Sequence, residues 1–288
     1  MENQVEEDRE NEILKILKQE GEKQGLPSRF LDFYRDLFIA QLRGEQRIGN
    51  VNPGITKETI DERLVNGQPL ITYSDFHVDY DVVNDLFINM TSIFSEYKDL
   101  FGELPKSLTR PISRKTLPKG LIKAWFKGTR LPASYVTDDP GEHSLLEAVV
   151  HATLKPFFLV YAKAVSGLID QTRWRRTCCP VCGGIPDFSY LDKDQGSRWL
   201  VCSRCDTSWL FQRLQCPFCG SQDQKDLSYL SDDTGMYRLY LCRQCRKYIK
   251  AIDLRATAKK ILLPVERITT LMMDSQARDE GYEPGNSL

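Results

Sequence analysis

The residues whose types and spacing could do chemistry are the cysteines. There are nine, all between residues 178 and 245, and the first 177 residues have none. Eight of them form four C-x-x-C pairs: Cys179/Cys182, Cys202/Cys205, Cys216/Cys219 and Cys242/Cys245. The first and third pairs share one signature, CPVCGG and CPFCGS. The second and fourth share another, CSRCDTSW and CRQCRKY, each with an aromatic residue just downstream (Trp209, Tyr248). The intervals of 19 and 22 residues between the pairs of each copy are nearly equal. A twice-repeated C-x-x-C unit predicts two tetrathiolate sites, each closed by a pair of hairpins, with these eight cysteines as the metal ligands.

The spacing suits that chemistry. A C-x-x-C turn brings two thiolates onto one ion while nearby backbone N–H groups point at the sulfurs. Gly183 and Gly220, each directly after the second cysteine, supply the positive φ that such a turn needs. Four sulfurs in a tetrahedron suit zinc or a single iron, and the spacing alone does not separate them. A thioredoxin-like redox pair would open a helix in a βαβ setting, and these pairs lie in turn-and-strand text. Disulfides would contradict an intracellular chain, and cluster-binding cysteines are usually more densely or less symmetrically spaced. Proline and glycine register Cys179 with Cys216 and Cys182 with Cys219, which leaves Cys178 as the spare thiol. A closed tetrathiolate has no open coordination position, so its default role is to fold a small region rather than to catalyse.

Residues 171–250 hold 13 Lys/Arg against 8 Asp/Glu. Two sites carrying about −2 each would use that surplus as counter-charge. Arg173, Arg175, Arg176, Arg204, Arg243, Arg246 and Lys247, all beside the cysteine pairs, are the expected counter-charges. That reading weakens the nucleic-acid partner they would otherwise suggest. No other constellation competes. His77 lies in a loop-like SDFHVDY, His143 begins an apolar run and His151 reads as a buried core histidine. No phosphate loop, GxSxG or HExxH motif occurs.

The elements that must position the cysteines come in two textures. Up to about residue 168 apolar residues recur with helical spacing. A charged first helix carries Ile13, Leu14 and Leu17. Helices are expected over 27–43, 53–70, 79–102, 120–128 and 144–171, five or six in all, with Pro156 kinking the last. After residue 172 short alternating runs (DFSYL, RWLVC, SWLFQRL, LSYL, MYRLYLC) predict strands, and 252–281 predicts a terminal helix around Pro264. The expected fold class is α+β: a helical bundle-like domain over 1–171, tandem rubredoxin-like (zinc-ribbon-like) modules over 172–251 (about 172–212 and 213–251), and a C-terminal helix and tail over 252–288. The two halves are expected to pack together.

Net charge is −1 and hydrophobic residues make up 41%, so no global field advertises a nucleic-acid or membrane partner. The acidic N-terminus lacks the basic and apolar regions of an export signal. The most apolar stretch, 144–168, is interrupted by Glu147, His151, Lys155 and Lys163, which predicts a buried helix without membrane insertion. The expected location is the cytoplasm.

The motifs CPVCGGIP (179–186), CSRCDTSW (202–209), RLQC (213–216), LSYL (227–230), CRQCRKYIK (242–250) and LMMDSQARDEGY (271–282) resemble the formate dehydrogenase accessory protein FdhE family. Most of that specificity lies in residues 178–282; the N-terminal half matches mainly in pattern. The resemblance implies a non-enzymatic cytoplasmic assembly factor, or chaperone, needed for an active formate dehydrogenase. Its partner would be the catalytic subunit of the molybdenum- or tungsten-containing enzyme, bound before export. It implies iron of the rubredoxin type, with zinc the other ion the sulfurs accept. It also implies one site from Cys179, Cys182, Cys202 and Cys205 and another from Cys216, Cys219, Cys242 and Cys245, interleaved pairing being the alternative. Two other functions fit the cysteine repeat: a zinc-ribbon nucleic-acid binder using Trp199, Trp209 and Tyr248, and a rubredoxin-like electron carrier. A homodimer is the remaining oligomeric reading.

Overall fold

Apolar spacing of three and four residues gives way to alternation of two near residue 170, and the structure changes from helices to strands there. The computed structural model describes residues 2–129, 131–132, 135 and 139–285. The helices before the change are α1 (Glu2–Lys23), α2 (Ser28–Ile48), α3 (Lys57–Asn66), α4 (Tyr80–Glu96), α5 (Lys98–Phe101), α6 (Thr109–Arg114), α7 (Lys119–Lys127) and α8 (Pro140–Val165). The sequence predicts five or six. The helix expected over 79–102 is broken at Tyr97 into α4 and α5, and the addition, α6, is six residues long, too short to show a period.

The chain divides into two compact units, 1–54 with 71–164, and 55–70 with 165–288. Sequence texture alone places a boundary at 171. The division instead takes α3 and its flanks out of the helical part and groups them with the cysteine region.

In the first unit, α2 buries Leu31, Phe33, Ala40 and Leu42, and α4 buries Val83, Phe87, Met90 and Phe94. Asp79 caps α4 by accepting from the amides of Asp81 and Val82. Gly44 lets α2 approach its neighbours, since a Cβ there would lie 2.9 Å from Leu86 and 3.3 Å from Pro156. Helix α8 runs from Pro140 to Val165 with Pro156 inside it. The span Pro140–Leu168 is long and apolar enough to cross a membrane, yet 72% of its most apolar stretch is buried within the protein. Its Phe158 packs with Phe76 and Phe126, with ring centroids 4.6–5.2 Å apart. A buried carboxylate on α2, Glu45, is held by Lys163 at 2.5 Å and Arg9 at 3.3 Å. An unpaired carboxylate at that depth would cost several kcal/mol.

Among the described residues of the second unit seven strands form one sheet. They are β1 (Pro186–Leu191), β2 (Arg198–Cys202), β3 (Ser208–Phe211), β4 (Leu227–Ser231), β5 (Tyr237–Cys242), β6 (Lys247–Asp253) and β7 (Glu283–Pro284). The order is β3-β2-β1-β6-β5-β4, with β7 added beside β6. Each module is an antiparallel three-stranded meander. The two are joined by a parallel pairing of β1 with β6, from Phe188 opposite Lys250 to Leu191 opposite Asp253. The tandem modules therefore share one sheet.

Two helices, α9 (Leu263–Thr269) and α10 (Leu271–Asp279), cover that sheet. Tyr248, Leu239 and Leu241 pack with Ala277 and Tyr282, and Phe188, Val201 and Ile252 form a second cluster with Leu263 beside it. The terminal helix expected over 252–281 begins only at residue 263. Ile252 and Asp253 belong to β6, and Pro264 sits at the first turn of α9, where its missing N–H is harmless.

Candidate metal centre

All four C-x-x-C pairs adopt one turn. The amide of the residue after the second cysteine donates to the carbonyl of the first: Gly183 to Cys179 (3.0 Å), Asp206 to Cys202 (3.3 Å), Gly220 to Cys216 (3.1 Å) and Arg246 to Cys242 (2.9 Å). That residue has positive φ in every case: 70° at Gly183, 54° at Asp206, 76° at Gly220 and 57° at Arg246. The glycines fulfil the role read from the sequence, and Asp206 and Arg246 fill it at the side-chain-bearing positions. The amides of Val181, Arg204 and Phe218 point at Cys179, Cys202 and Cys216 Sγ, each at 3.4 Å.

The turns lie at the ends of hairpins, and the hairpins bring the pairs together. Cys179, Cys182, Cys202 and Cys205 form one group, and Cys216, Cys219, Cys242 and Cys245 form another. The sulfurs within a group all lie within 4.8 Å of one another. The grouping is sequential rather than interleaved. In the first group Cys179–Cys205, Cys182–Cys202 and Cys182–Cys205 are 3.5 Å apart. In the second, Cys216–Cys245 and Cys219–Cys242 are 3.7 Å apart. A tetrahedron with metal–sulfur bonds of about 2.3 Å has edges of about 3.8 Å. Each group therefore fits one tetrathiolate metal ion.

Electrostatics agree. Burial pushes the Cys179 and Cys205 thiols well above their ordinary range, and lifts Cys245 to about 11. Cys202, although burial opposes it, is drawn well below its usual value by its sulfur neighbours Cys179, Cys182 and Cys205. Four thiols in one shell do not ionise together unaided, and a divalent cation supplies the missing charge.

The expected counter-charges are mostly engaged elsewhere. Arg173 pairs with Asp61 at 2.5 Å, Arg175 donates to the Gln171 carbonyl, Arg246 to the carbonyls of Glu280 and Gly281, and Lys247 to that of Gly285. Two arginines that the sequence reading missed stand beside the cysteines, Arg267 half-buried and Arg198 buried. Arg267 of α9 donates to the Cys202 carbonyl (2.8 Å), Asp206 (2.5 Å) and Asp187 (3.0 Å), locking the second turn of the first group. Although burial opposes its charge, the two carboxylates hold its pKa above the ordinary arginine value. Arg198 of β2 is 2% exposed and donates to the carbonyl of Gln215, the residue before Cys216. Arg267 lies 65 residues from Cys202, a partnership with no local signal in the sequence.

Segment 55–70 also reaches this centre. The Leu70 amide donates to the Pro180 carbonyl (2.8 Å), inside the first turn. Cys178 stands outside both groups. It is half-buried, its carbonyl accepts from Trp174 Nε1 (2.9 Å), and burial raises its thiol pKa. Of the aromatics considered for base stacking, Trp209 is 0% and Tyr248 4% exposed, and Trp199 stacks on Tyr190. Among the histidines, His77 lies in the expected loop with its backbone bonded to the Tyr161 hydroxyl. His143 pairs with Glu147 in the first turns of α8, and His151 is half-buried against Trp125 rather than fully buried.

The family pattern described as "FdhE, central domain" matches residues 178–213, the segment that carries the first cysteine group. A relative named "Protein FdhE homolog" from Aquifex aeolicus is 26% identical over 82% of this chain and 78% of its own length. The chain is similar to FdhE proteins over most of its length. A second "Protein FdhE homolog", from Shewanella baltica, is 26% identical over 64% of this chain and 60% of its own length. The crystal structure of the FdhE protein from Pseudomonas aeruginosa has the same fold, with a TM-score of 0.61 over 95% of this chain and 92% of that one at 19% identity. Like the segment matched by the FdhE central domain, which holds the first group, the rest of this chain's cysteine region holds a second four-cysteine group, and each group could bind a metal ion.

Proposed function

We propose that this chain is a non-enzymatic assembly factor that binds the catalytic subunit of a molybdenum or tungsten formate dehydrogenase in the cytoplasm and is needed for that enzyme to become active. The observation that carries the reading is the pair of closed four-cysteine groups, the first of them inside the segment matching the FdhE central domain. Cys179, Cys182, Cys202 and Cys205 hold one ion, and Cys216, Cys219, Cys242 and Cys245 the other. Iron of the rubredoxin type is the ion we favour, from the family. Four thiolates fill a tetrahedral ion's shell, so the site has no open position for substrate, and the ion's contribution is to hold the turns in place. The domain plan we propose is a helical domain over 1–171, metal modules over 172–251 and a C-terminal segment over 252–288.

The test is capture and complementation. The tagged chain should enrich the formate dehydrogenase catalytic subunit from cells grown without oxygen, and deleting its gene should abolish formate oxidation while leaving the subunit's synthesis intact. Normal formate oxidation in the deletion strain, with no enrichment of the subunit, would overturn the proposal.

A further inference from the structure

The two groups share a turn, a spacing and a sheet, yet they differ in what covers them. All four cysteines of the first group are 0–3% exposed. In the second group Cys216 and Cys242 are 2% and 3% exposed, Cys245 is half-buried and Cys219 is exposed. The difference has a structural cause. Residues 55–70 lie against the first turn: Leu70 bonds to Pro180, and Pro69 sits 3.3 Å from where a Cβ on Gly183 would be. Arg267 locks the other side of that group onto α9. At the corresponding glycine of the second group, Gly220, the nearest atom to such a Cβ is Gln215 Nε2 at 3.8 Å.

The second group is also divided within itself. Its Cys216/Cys242 half lines a cavity of about 30 Å³ whose wall includes Arg198, Arg213 and Lys247 and, among the described residues, no carboxylate. The buried Arg198 guanidinium leaves Nε and Nη2 without hydrogen-bond partners among the described residues. A buried cation without a counter-charge costs several kcal/mol, and the negative charge of a loaded tetrathiolate beside it offsets that cost. Cys216 and Cys242 are thus anchored in the buried half of the group, whereas Cys219 faces solvent with the exposed Gln244 Oε1 near its sulfur, at 3.7 Å.

We propose that the second group is an exchange site for soft divalent metal ions, opened through Cys219, and that the first is a permanent structural site. The inference rests on both groups holding metal, and it is independent of any partner subunit. The step is ligand substitution without electron transfer. A thiolate or similar soft anionic donor binds the metal as the bond to Cys219 Sγ breaks, and the freed thiolate takes a proton from water. Cys216 and Cys242 keep the half-open site in register until the metal leaves or returns.

The experiment uses the intact zinc-loaded chain in excess 4-(2-pyridylazo)resorcinol, with N-ethylmaleimide and peptide mass spectrometry to identify the freed cysteines. One equivalent of zinc should leave at least about tenfold faster than the other, a barrier difference of about 1.4 kcal/mol. The first labelled peptides should carry Cys219 and Cys245, while Cys179, Cys182, Cys202 and Cys205 stay unlabelled. Two zincs leaving at one rate, or early labelling of the first group, would overturn the inference and leave the metal reading intact. A chain that retains no metal would overturn both. Loss of partner capture alongside biphasic release would overturn only the assembly-factor proposal.

Discussion

Arg267 and Cys202 belong to distant parts of the chain and meet through one hydrogen bond of 2.8 Å. Replacing Arg267 with Met would keep the stem and leave Asp187 and Asp206 without their cation. Leaving half-buried groups without their charged partner costs about 1–3 kcal/mol, so Arg267→Met should lower the unfolding free energy by that order in urea titration. A variant as stable as wild type would show the clamp to be idle. Asp253 gives a pH signature. The hydrogen bond from Arg255 is the largest influence holding its carboxyl below the usual range, and Arg238 adds to it. Its stabilising effect is therefore full above the unfolded pKa of about 3.9 and is lost as pH falls through the lower folded value. The stability gap between wild type and Asp253→Asn, followed by urea titration between about pH 3 and 7, should be wide at the upper end and close only below about pH 4. A gap unchanged across that range would contradict the assignment. The eight cysteines were legible at this scale because the chain states their grouping twice, with matching proline, glycine and aromatic neighbours. Arg267 and Arg198 were not, because their relation to the cysteines exists only once the sheet and α9 are assembled.

At the scale of the element, the C-x-x-C turn is the repeated device, and its two glycine copies make a controlled comparison. Gly183 and Gly220 have φ of 70° and 76°, so alanine at either costs about 1–2 kcal/mol for the left-handed backbone. At Gly183 the new methyl also meets Pro69 at 3.3 Å, while at Gly220 it has room. Gly183→Ala should therefore lower the melting temperature more than Gly220→Ala; equal losses would show that segment 55–70 does not press on the first turn. That segment is also where sequence reading was least informative. Ile60 and Leu64 give α3 one buried side, but an apolar pair carries no address for the surface it covers. The parallel β1–β6 pairing was hidden for a similar reason. Each strand's alternation fixes which face is buried and leaves its neighbour unspecified. The helices α2, α4, α7 and α8 were legible because each is long enough to repeat its period, and α6 was not; the break at Tyr97 that splits α5 from α4 left no mark in the pattern.

At the scale of the whole chain, two compact units carry different duties. The first is an apolar helical body built on Phe33, Phe87 and Phe158, and the second is a sheet whose turns are drawn together by sulfur. The sheet buries an apolar core of its own, Phe188, Leu200, Trp209 and Ile252 among it, and on the proposed metal binding the ions would add to the second unit's folding energy. Losing one ligand should then do more than lose one contact. Cys202→Ser should empty the first group and destabilise the second unit by about 4 kcal/mol or more. The most direct test is the metal content of the chain purified without oxygen, measured by elemental analysis for wild type, Cys202→Ser and Cys242→Ser. The account predicts two tetrathiolate-bound ions per wild-type chain and one in each variant. Fewer than two in the wild type, or two retained in either variant, would contradict it.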